Sequence, residues 1–408
     1  MAKIVWIPLT LSCLSLLSWL GLLLGRDKFW LMREKIGPEG DKECPDTWPA
    51  IQAIIPARNE SGVLPRTLPS VLEQDYPGEL RVTLVDDHSD DGTGEIAREI
   101  AGETDSEAEL EITVPPDKPE GWSGKVWAMN HGFRKSRESD PELIWLTDAD
   151  ILHSPGTLRR LALKLTDEDL SLASIMADLR TESFWEKLLI PNFVYYFSLL
   201  YPFPKVNDPG TEVAGAAGGC VLLRRSSLKK AGGFSSISDA VIDDCALARE
   251  VNANTDKGIW LGLSHMAKSL RSYGNLGEIW KMISRSAFSQ LNHSAALLAG
   301  TVIGMFLLFV VPPASVGFGL FYLAERGAAT SAALPATITA SGGLTWLIAG
   351  ASFNPILNWY DLSPGLGLLA PLGGFLYTLM TVDSGLSWWT GRGNSWKGRV
   401  VERAEKGR

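Results

Sequence analysis

The chain has 408 residues, which is enough for one large domain or two ordinary ones. Its 47 acidic residues outnumber its 38 basic residues and give a formal net charge of -9. This balance argues against a nucleic-acid-binding protein that works through a basic face. Four scattered cysteines without a Cys-x-x-Cys pair are typical of reduced thiols rather than of a zinc site or a disulfide framework: Cys13, Cys44, Cys220 and Cys245.

The N-terminal segment is apolar over residues 4–24, a run of roughly 20 residues that is long enough to span a bilayer. A cleaved signal peptide is the alternative. Against it, only Lys3 precedes the run, no small-residue cleavage site follows, and the run is long for such a peptide. Residues 1–26 are therefore predicted to be a transmembrane anchor. By the positive-inside rule, the basic residues that follow predict a cytoplasmic location for the next domain: Arg26, Lys28, Arg33 and Lys35.

Residues 49–290 alternate between short apolar runs and helical patterns. Such alternation predicts an α/β domain of Rossmann-like type, with a mostly parallel sheet covered by helices on both faces. Ligands of these sheets bind beyond the carboxyl ends of the strands. Five strands are expected from the apolar runs at 50–55, 80–85, 109–114, 143–147 and 170–176.

The run 143–147 ends in two carboxylates, Asp148 and Asp150, separated by one small residue. In an extended or turning backbone the two side chains can face one point while Ala149 turns aside. Two anionic oxygen donors suit Mg²⁺ or Mn²⁺ that also binds a diphosphate. The alternative is a solvated turn followed by a helix cap.

Two further acidic pairs follow predicted strands or begin predicted helices. Asp86 and Asp87 come directly after the second strand, where either carboxylate could bind a ribose or a base edge. Asp243 and Asp244 begin a helix, where acidic residues are favoured by the helix dipole and need no further role. In a crevice with a metal site, Asp244, with Asp243 as the second choice, is the predicted general base.

Tiny residues precede a strand in the segment 213–225. They would let a ligand or another backbone approach closely, so Gly218 and Gly219 are predicted to face the acceptor. A tight bend in a buried sheet is the alternative. The crevice has no Walker-type glycine loop, no Rossmann Gly-x-Gly-x-x-Gly motif after the first strand and no serine elbow.

The segment 184–204 is rich in aromatic residues and poor in charge. We expect it to lie on the membrane surface, where aromatic rings with polar tips favour the headgroup level, and to hold a lipid acceptor. Burial in a protein core is the alternative.

The C-terminal region 294–385 is again membrane-like. A basic tail, 386–408, follows it and is predicted to be cytoplasmic, which makes the protein a multi-pass protein of the cell (inner) membrane. A cytoplasmic tail requires an even number of crossings after the domain. Three apolar stretches conflict with this parity unless the first is a hairpin split at Pro312 and Pro313 or one stretch is re-entrant: 294–323, 331–351 and 365–382.

Five motifs occur in order along the predicted α/β domain. They are Ile-Pro-Ala-Arg-Asn-Glu (55–60), Val-Asp-Asp-His-Ser-Asp-Asp-Gly-Thr (85–93), Gly-Lys-Val-Trp-Ala-Met-Asn (124–130), Asp-Ala-Asp (148–150) and Asp-Asp-Cys-Ala-Leu (243–247). In the order and approximate spacing of these motifs, the chain resembles the family 2 glycosyltransferases with the GT-A fold over about residues 50–290. Within the family the chain is similar to the membrane-bound, ceramide-glucosyltransferase-like branch, and specifically to hopanoid-associated members. The motifs behind this are 121–127, 146–151, 279–288 and 388–399.

The resemblance implies roles for individual residues. Asp148 and Asp150 would serve the sugar nucleotide and its metal, and Asp244 would be the base of an inverting displacement. Arg285 matches the arginine of the family's Gln-x-x-Arg-Trp acceptor motif, but Met282 and Ser286 replace its Gln and Trp, which disfavours processive synthesis. The nucleotide pocket and diphosphate site would be lined by Pro56, Ala57, Glu60, Asp87 and Lys125.

The sequence therefore predicts an inverting glycosyltransferase that uses Mg²⁺ or Mn²⁺. It would move a sugar from a nucleotide-diphosphate sugar to a membrane lipid, in hopanoid or related glycolipid biosynthesis, and would bind no nucleic acid. A processive polysaccharide synthase and a non-catalytic membrane scaffold of a lipid-biosynthetic complex are the alternatives.

Overall fold

The computed structural model describes residues 2–38, 45–136, 140–325 and 332–391, with the short segments 395–396 and 399–400. The predicted basic tail therefore lies mostly outside the described residues. The chain folds into two compact units. The sheet unit contains Arg33–Arg180 and Phe203–Ser272, and the helical unit contains Met1–Met32, Thr181–Pro202 and Tyr273–Arg392.

The sheet unit is built on eight strands in the order β3-β2-β1-β4-β7-β6-β8-β5. Strands β1 to β4 are mutually parallel where they pair, β7 runs antiparallel between β4 and β6, β8 is parallel to β6, and β5 is antiparallel to β8. The predicted α/β class with a mostly parallel sheet is confirmed. The strands are β1 Ile51–Ala57, β2 Leu80–Asp86, β3 Glu109–Thr113, β4 Leu143–Thr147, β5 Ile151–His153, β6 Leu172–Asp178, β7 Cys220–Arg224 and β8 Ile259–Ser269.

Helices of the sheet unit pack their apolar stripes on this sheet. In the first of them, Leu64, Leu68 and Val71 recur at helical spacing and are all buried. The central strands β1 and β4 are buried along their whole length, as strands covered on both faces are. The helices are α2 Leu64–Leu72, α3 Thr93–Glu103, α4 Gly124–Lys135, α5 Thr157–Asp167, α7 Phe203–Val206, α8 Arg225–Lys230 and α9 Asp243–Asn254, with a 3₁₀ turn at Gly233–Ile237.

Strand register brings several turns to one edge of the sheet. Ala57 at the end of β1 lies opposite Asp86 at the end of β2. Thr147 at the end of β4 lies opposite Cys220, the first residue of the antiparallel β7. The loops after β1, β2 and β4 and the glycines before β7 therefore meet at the same edge, as the sequence predicts.

The helical unit contains the apolar ends of the chain. Among the described residues, three helical segments are long and apolar enough to cross a membrane: Trp6–Gly25, Ala295–Glu325 and Pro364–Trp389. The predicted stretch 331–351 forms α14 but is not one of the three, and the number and direction of crossings stay a prediction. The helices are α1 Ala2–Gly25, α6 Phe184–Leu200, α10 Leu276–Ser284, α11 Ala287–Gln290, α12 Ala295–Met305, α13 Val311–Glu325, α14 Ala333–Ser352, α15 Asn354–Trp359 and α16 Ala370–Trp389, with a π-helical turn at Phe306–Val310 and 3₁₀ turns at Phe29–Leu31 and Pro364–Leu369.

Pro312 and Pro313 lie inside one continuous helical segment rather than in a hairpin. Prolines have no N–H, so carbonyls one turn before them lose their helical partner, and a π-helical turn accommodates the mismatch. Helix α1 supplies the missing donors: Ser15 Oγ donates to the carbonyl of Leu307 (2.7 Å) and Trp19 Nε1 to that of Leu308 (2.9 Å).

The aromatic segment predicted to be interfacial forms α6 and packs inside the helical unit along one face. The hydroxyl of Tyr377 donates to the carbonyl of Leu189 (2.9 Å), and the rings of Tyr195 and Phe353 are stacked with centroids 3.9 Å apart. Phe184 remains 56% exposed. Its predicted position on a membrane surface stays a prediction.

Candidate active site

The acidic loop 148–150 is held by its backbone from two sides. The hydroxyl of Thr67 in α2 donates to the carbonyl of Ala149 (2.7 Å). The N–H of Leu270, just after β8, donates to the carbonyl of Asp150 (2.8 Å). With its carbonyls bonded in this way, the loop has a fixed backbone from which the two carboxylates extend.

Lys125 joins two of the predicted acidic groups. Ser123 caps α4 by accepting from the N–H of Val126, which places Lys125 in the first turn. Its Nζ lies 2.8 Å from Oδ1 of Asp148 and 3.1 Å from Oδ2 of Asp243. Burial lowers the pKa of Lys125, but Asp148 and Asp243 outweigh it and hold that pKa well above its ordinary value. The ammonium group is therefore permanently charged.

Asp244 is held beside this ion pair by backbone donors. The N–H of Gly218 donates to its Oδ2 (2.7 Å) and the N–H of Cys245 to its Oδ1 (2.8 Å). A Cβ on Gly218 would lie 3.2 Å from that same Oδ2 and 3.3 Å from Nζ of Lys125, so a side chain here would crowd both groups. Burial, and then the charge of Asp243, raise the pKa of Asp244 to about 6.

Asp150 is a buried carboxylate that lies near other negatively charged groups. Burial raises its pKa to about 6, and the carboxylates of Asp148 and Glu60 add to the effect. The described residues contain no group of three or more His, Cys, Asp or Glu side chains that could hold a metal ion. Two hard oxygen donors nevertheless fit a Mg²⁺ or Mn²⁺ ion that takes its remaining ligands from phosphate and water.

The predicted nucleotide-binding residues lie in two loops that contact each other. The N–H of Asp87 donates to the carbonyl of Ala57 (2.8 Å), and the N–H of Glu60 donates to Oγ1 of Thr93 (2.9 Å). Asp87 is fully buried, and Asp86 accepts from an N–H of its own loop. Pro56, the second-last residue of β1, is also buried.

The structure thus brings Lys125, Asp148, Asp243, Asp244 and Gly218 together, and places Asp150 near Glu60. A Cβ on Gly219 would instead contact Ile151 and Ala177. Arg285 lies in the helical unit, where it ends α10. The roles assigned to these residues stay predictions.

Sequence reasoning did not find Thr67 or Leu270, which hold the acidic loop. Neither belongs to a motif, and each reaches the loop through a hydroxyl or a backbone N–H. The threonine lies on the buried face of α2, where its position in the sequence indicates packing and nothing more.

Comparison with known proteins shows which family and which fold the chain resembles. Residues 52–232 match the family model described as Glycosyl transferase family 2. A Bacillus subtilis (strain 168) protein named probable glycosyltransferase YdaM is 27% identical over 256 residues, which are 60% of this chain and 55% of that protein. An N-acetylglucosaminyltransferase of Mesorhizobium japonicum is 28% identical over 209 residues, which are 49% of this chain and 45% of that protein. The chain thus spans about half the length of the curated relatives it matches.

Among solved structures, the mannosyltransferase PcManGT from Pyrobaculum calidifontis, in complex with GDP-Man and Mn²⁺, aligns over 93% of this chain and 99% of its own. The TM-score is 0.57 and the sequence identity is 18%, so the likeness shows the fold. The sheet unit therefore has the GT-A fold. Residues 52–232 thus match the model of the family that the sequence predicts, and the predicted GT-A fold is confirmed.

Proposed function

We propose that the protein is an inverting glycosyltransferase that moves a sugar from a nucleotide-diphosphate sugar to a membrane lipid. The observation that carries the proposal is the position of Lys125, whose ammonium group contacts Asp148 after β4 and Asp243 at the start of α9. One cation thereby connects the predicted donor side of the site with the residue directly before the predicted base, Asp244. Ionisable groups with shifted pKa values that cluster around a specific charge partner are candidates for a functional site.

On the donor side, the fixed charge of Lys125 suits a diphosphate. A diphosphate leaving group gains negative charge as its bond to the sugar breaks, and a nearby ammonium group stabilises that charge. Asp148 and Asp150 would hold a Mg²⁺ or Mn²⁺ ion. Such an ion, when bound, neutralises the phosphate oxygens as a Lewis acid. A solved structure of similar fold contains Mn²⁺, which makes Mn²⁺ the first ion to test.

On the acceptor side, Asp244 is the better of the two candidate bases. Asp243 is already engaged in an ion pair with Lys125. The pKa of Asp244 is raised to about 6, close to the range in which a base is both ionised and able to take a proton. The acceptor hydroxyl oxygen would attack the anomeric carbon, its proton would pass to Asp244, and the sugar–diphosphate bond would break.

We assign the acceptor to lipids because three helical segments of the chain are apolar enough to cross a membrane. Anchoring an enzyme in a bilayer raises the local concentration of lipid substrates. The likeness of residues 121–127, 279–288 and 388–399 to hopanoid-associated enzymes supports a hopanoid or related lipid. A comparison of lipid extracts from cells with and without the gene would test this, since a missing glycolipid is expected.

The central test uses full-length protein in nanodiscs with radiolabelled UDP-GlcNAc, UDP-Glc or GDP-Man, Mn²⁺ and a lipid extract. We expect one donor to yield a lipid carrying one sugar. Asp244→Asn should lower kcat by about 10²–10⁴-fold, the usual contribution of a general base. Asp256→Asn, an exposed acid beyond the far end of α9, is the matched control and should behave like wild type.

The outcomes separate the alternatives. A polymer in place of a one-sugar lipid would indicate a polysaccharide synthase. If wild-type protein binds none of the three nucleotide sugars, and Asp148→Ala with Asp150→Ala leaves cellular lipids unchanged, the chain is a scaffold and the proposal is wrong.

A further inference from the structure

A buried histidine next to the acidic loop has no part in the reaction described above. His153 ends β5, and only 4% of its surface is exposed. Its Nε2 lies 2.8 Å from Oγ1 of Thr147, the residue directly before Asp148. Its Nδ1 is buried and has no hydrogen-bond partner among the residues that the structure describes. A buried polar atom without a hydrogen bond lowers the stability of the fold, so the position of His153 needs an explanation.

The hydrogen-bond donors in this cluster can be assigned from the acceptors around Thr147. Its hydroxyl carries one proton, and the carbonyls within reach are those of Gly219 (3.0 Å) and Asp148 (3.4 Å). Carbonyls only accept, so the hydroxyl proton can go to one of them or to Nε2 of His153. If it went to Nε2, the ring hydrogen would lie on Nδ1 as a buried donor without a partner among the described residues. We therefore assign the hydrogen to Nε2, which donates to Thr147. Burial lowers the pKa of His153 to about 3, so the ring stays neutral while it does so.

We propose that the hydrogen-bond chain from His153 through Thr147 to Gly219 is a positioning device for the reaction. It joins the ends of β4 and β5, which flank the acidic loop, to the start of β7. The N–H next to Gly219, on Gly218, is the one that holds the candidate base. The chain thus fixes the separation of the donor-binding acids from the base, and this inference rests on the proposed function.

The other contacts of the loop act on different atoms. Thr67 and Leu270 bind the carbonyls of the loop, and Ser70 accepts from the N–H of His153 (3.1 Å). These bonds hold the loop on α2 and β8. The Thr147 hydroxyl adds a side-chain link to Gly219 at the end of the backbone pairing of β4 with β7. Its loss should therefore loosen the end of that pairing, where the acids and the base lie, while the rest of the sheet stays intact.

The test compares Thr147→Val, which keeps the shape and loses the hydroxyl, with Thr147→Ser, which keeps the hydroxyl. Thr166→Val in α5, whose hydroxyl contacts carbonyls of its own helix, is the matched control. We expect Thr147→Val to lower kcat about 10- to 100-fold, because small misplacements of reacting groups cost rate steeply. KM for the donor should change much less, and Thr147→Ser should retain most of the wild-type kcat.

Two results would overturn the inference: a Thr147→Val enzyme with wild-type kcat, or a Thr147→Ser enzyme as slow as Thr147→Val. His153→Phe, which removes the donor but fills the space, is the second variant should Thr147→Val not fold, and it should also lower kcat.

Hydrogen exchange of the peptide that contains residues 147–153 gives a reading that does not depend on activity. Exchange should be several-fold faster in Thr147→Val than in wild type and Thr147→Ser. Inactive wild-type protein with this exchange pattern would refute the proposed function and keep the hydrogen-bond chain. Active wild-type protein with unchanged exchange in all variants would refute the hydrogen-bond chain alone.

Discussion

At the scale of single residues, the main feature of the candidate site is that its acidic side chains outnumber its basic ones. Three acids surround one lysine. Lys125 forms ion pairs with Asp148 and Asp243, and Asp244 has no ion pair among the residues that the structure describes. Two backbone N–H groups compensate in part, but they do not restore its ordinary pKa. A general base must be able to take up a proton during the reaction, and the raised pKa of Asp244 favours this.

The raised pKa of Asp244 predicts the acid limb of the pH–rate profile. Because the base must be ionised, kcat/KM should fall about tenfold for each pH unit below about 6. Asp243→Asn removes the neighbouring charge that helps raise this pKa, so the limb should move to lower pH. A steady-state pH series on both enzymes measures this, and a limb that stays in place or moves upward in Asp243→Asn would contradict the assignment.

The raised pKa of Asp244 that favours its role as a base also makes the folded chain less stable when Asp244 is ionised. Asp244 is harder to ionise in the folded chain than in the unfolded chain, so its ionisation lowers the free energy of unfolding. That loss develops as the pH rises from about 4 to about 6. The site therefore gives up some stability at the pH where it would be active.

Sequence reasoning could predict the acids because their spacing and their place after apolar runs are local features. It could not predict the pairing of Lys125 with Asp243, which depends on how α4 and α9 meet. His153 was likewise out of reach, since a lone histidine after a strand gives no sign that its ring will bond Thr147.

At the scale of elements, the strands that form long apolar runs were predictable from the sequence, and so was the existence of β7 after the run of tiny residues. β1 to β4 and β6 follow from their composition. β5 has three residues, too few for a pattern, and the antiparallel direction of β7 is set by its pairing with β4 and β6. Helix starts, in contrast, are encoded locally by capping residues.

The start of α6 offers a test of such a cap in the helical unit. Glu186 is 1% exposed and accepts N–H groups of Ser183 (2.8 Å), Glu182 (2.9 Å) and Tyr273 (2.7 Å). Glu186→Gln places an amide donor against these donors and should lower the free energy of unfolding by about 1–3 kcal/mol.

Thermal or denaturant unfolding of the detergent-solubilised protein would measure the effect. Glu278→Gln is the matched control, because Glu278 caps α10 in the same way but is exposed. Glu278→Gln should lower the free energy of unfolding clearly less than Glu186→Gln does. Equal losses in the two variants would mean that burial does not strengthen the cap of α6.

At the scale of the whole molecule, the helical unit draws its parts from both ends of the chain and from its middle. Composition predicts that these segments are apolar. It does not predict that α1 supplies hydrogen-bond donors to carbonyls near Pro312, because that contact depends on the packing of distant helices.

A tryptophan pair tests this contact between the ends of the chain. Trp19→Phe removes the donor to the carbonyl of Leu308 and should lower Tm by about 2–4 °C, equivalent to about 1 kcal/mol. Trp6→Phe, at a position that is 58% exposed on the same helix, is the control and should leave Tm unchanged. Equal Tm values for both variants and wild type would show that the bond contributes nothing.

The donors on α1 also have a consequence for biosynthesis. A ribosome makes Ser15 292 residues before Leu307 and Trp19 289 residues before Leu308. Until Leu307 and Leu308 are made, the two donors lack the acceptors that they have in the folded chain. Replacing the first 25 residues by another apolar helix removes both donors and should therefore lower the yield of folded protein.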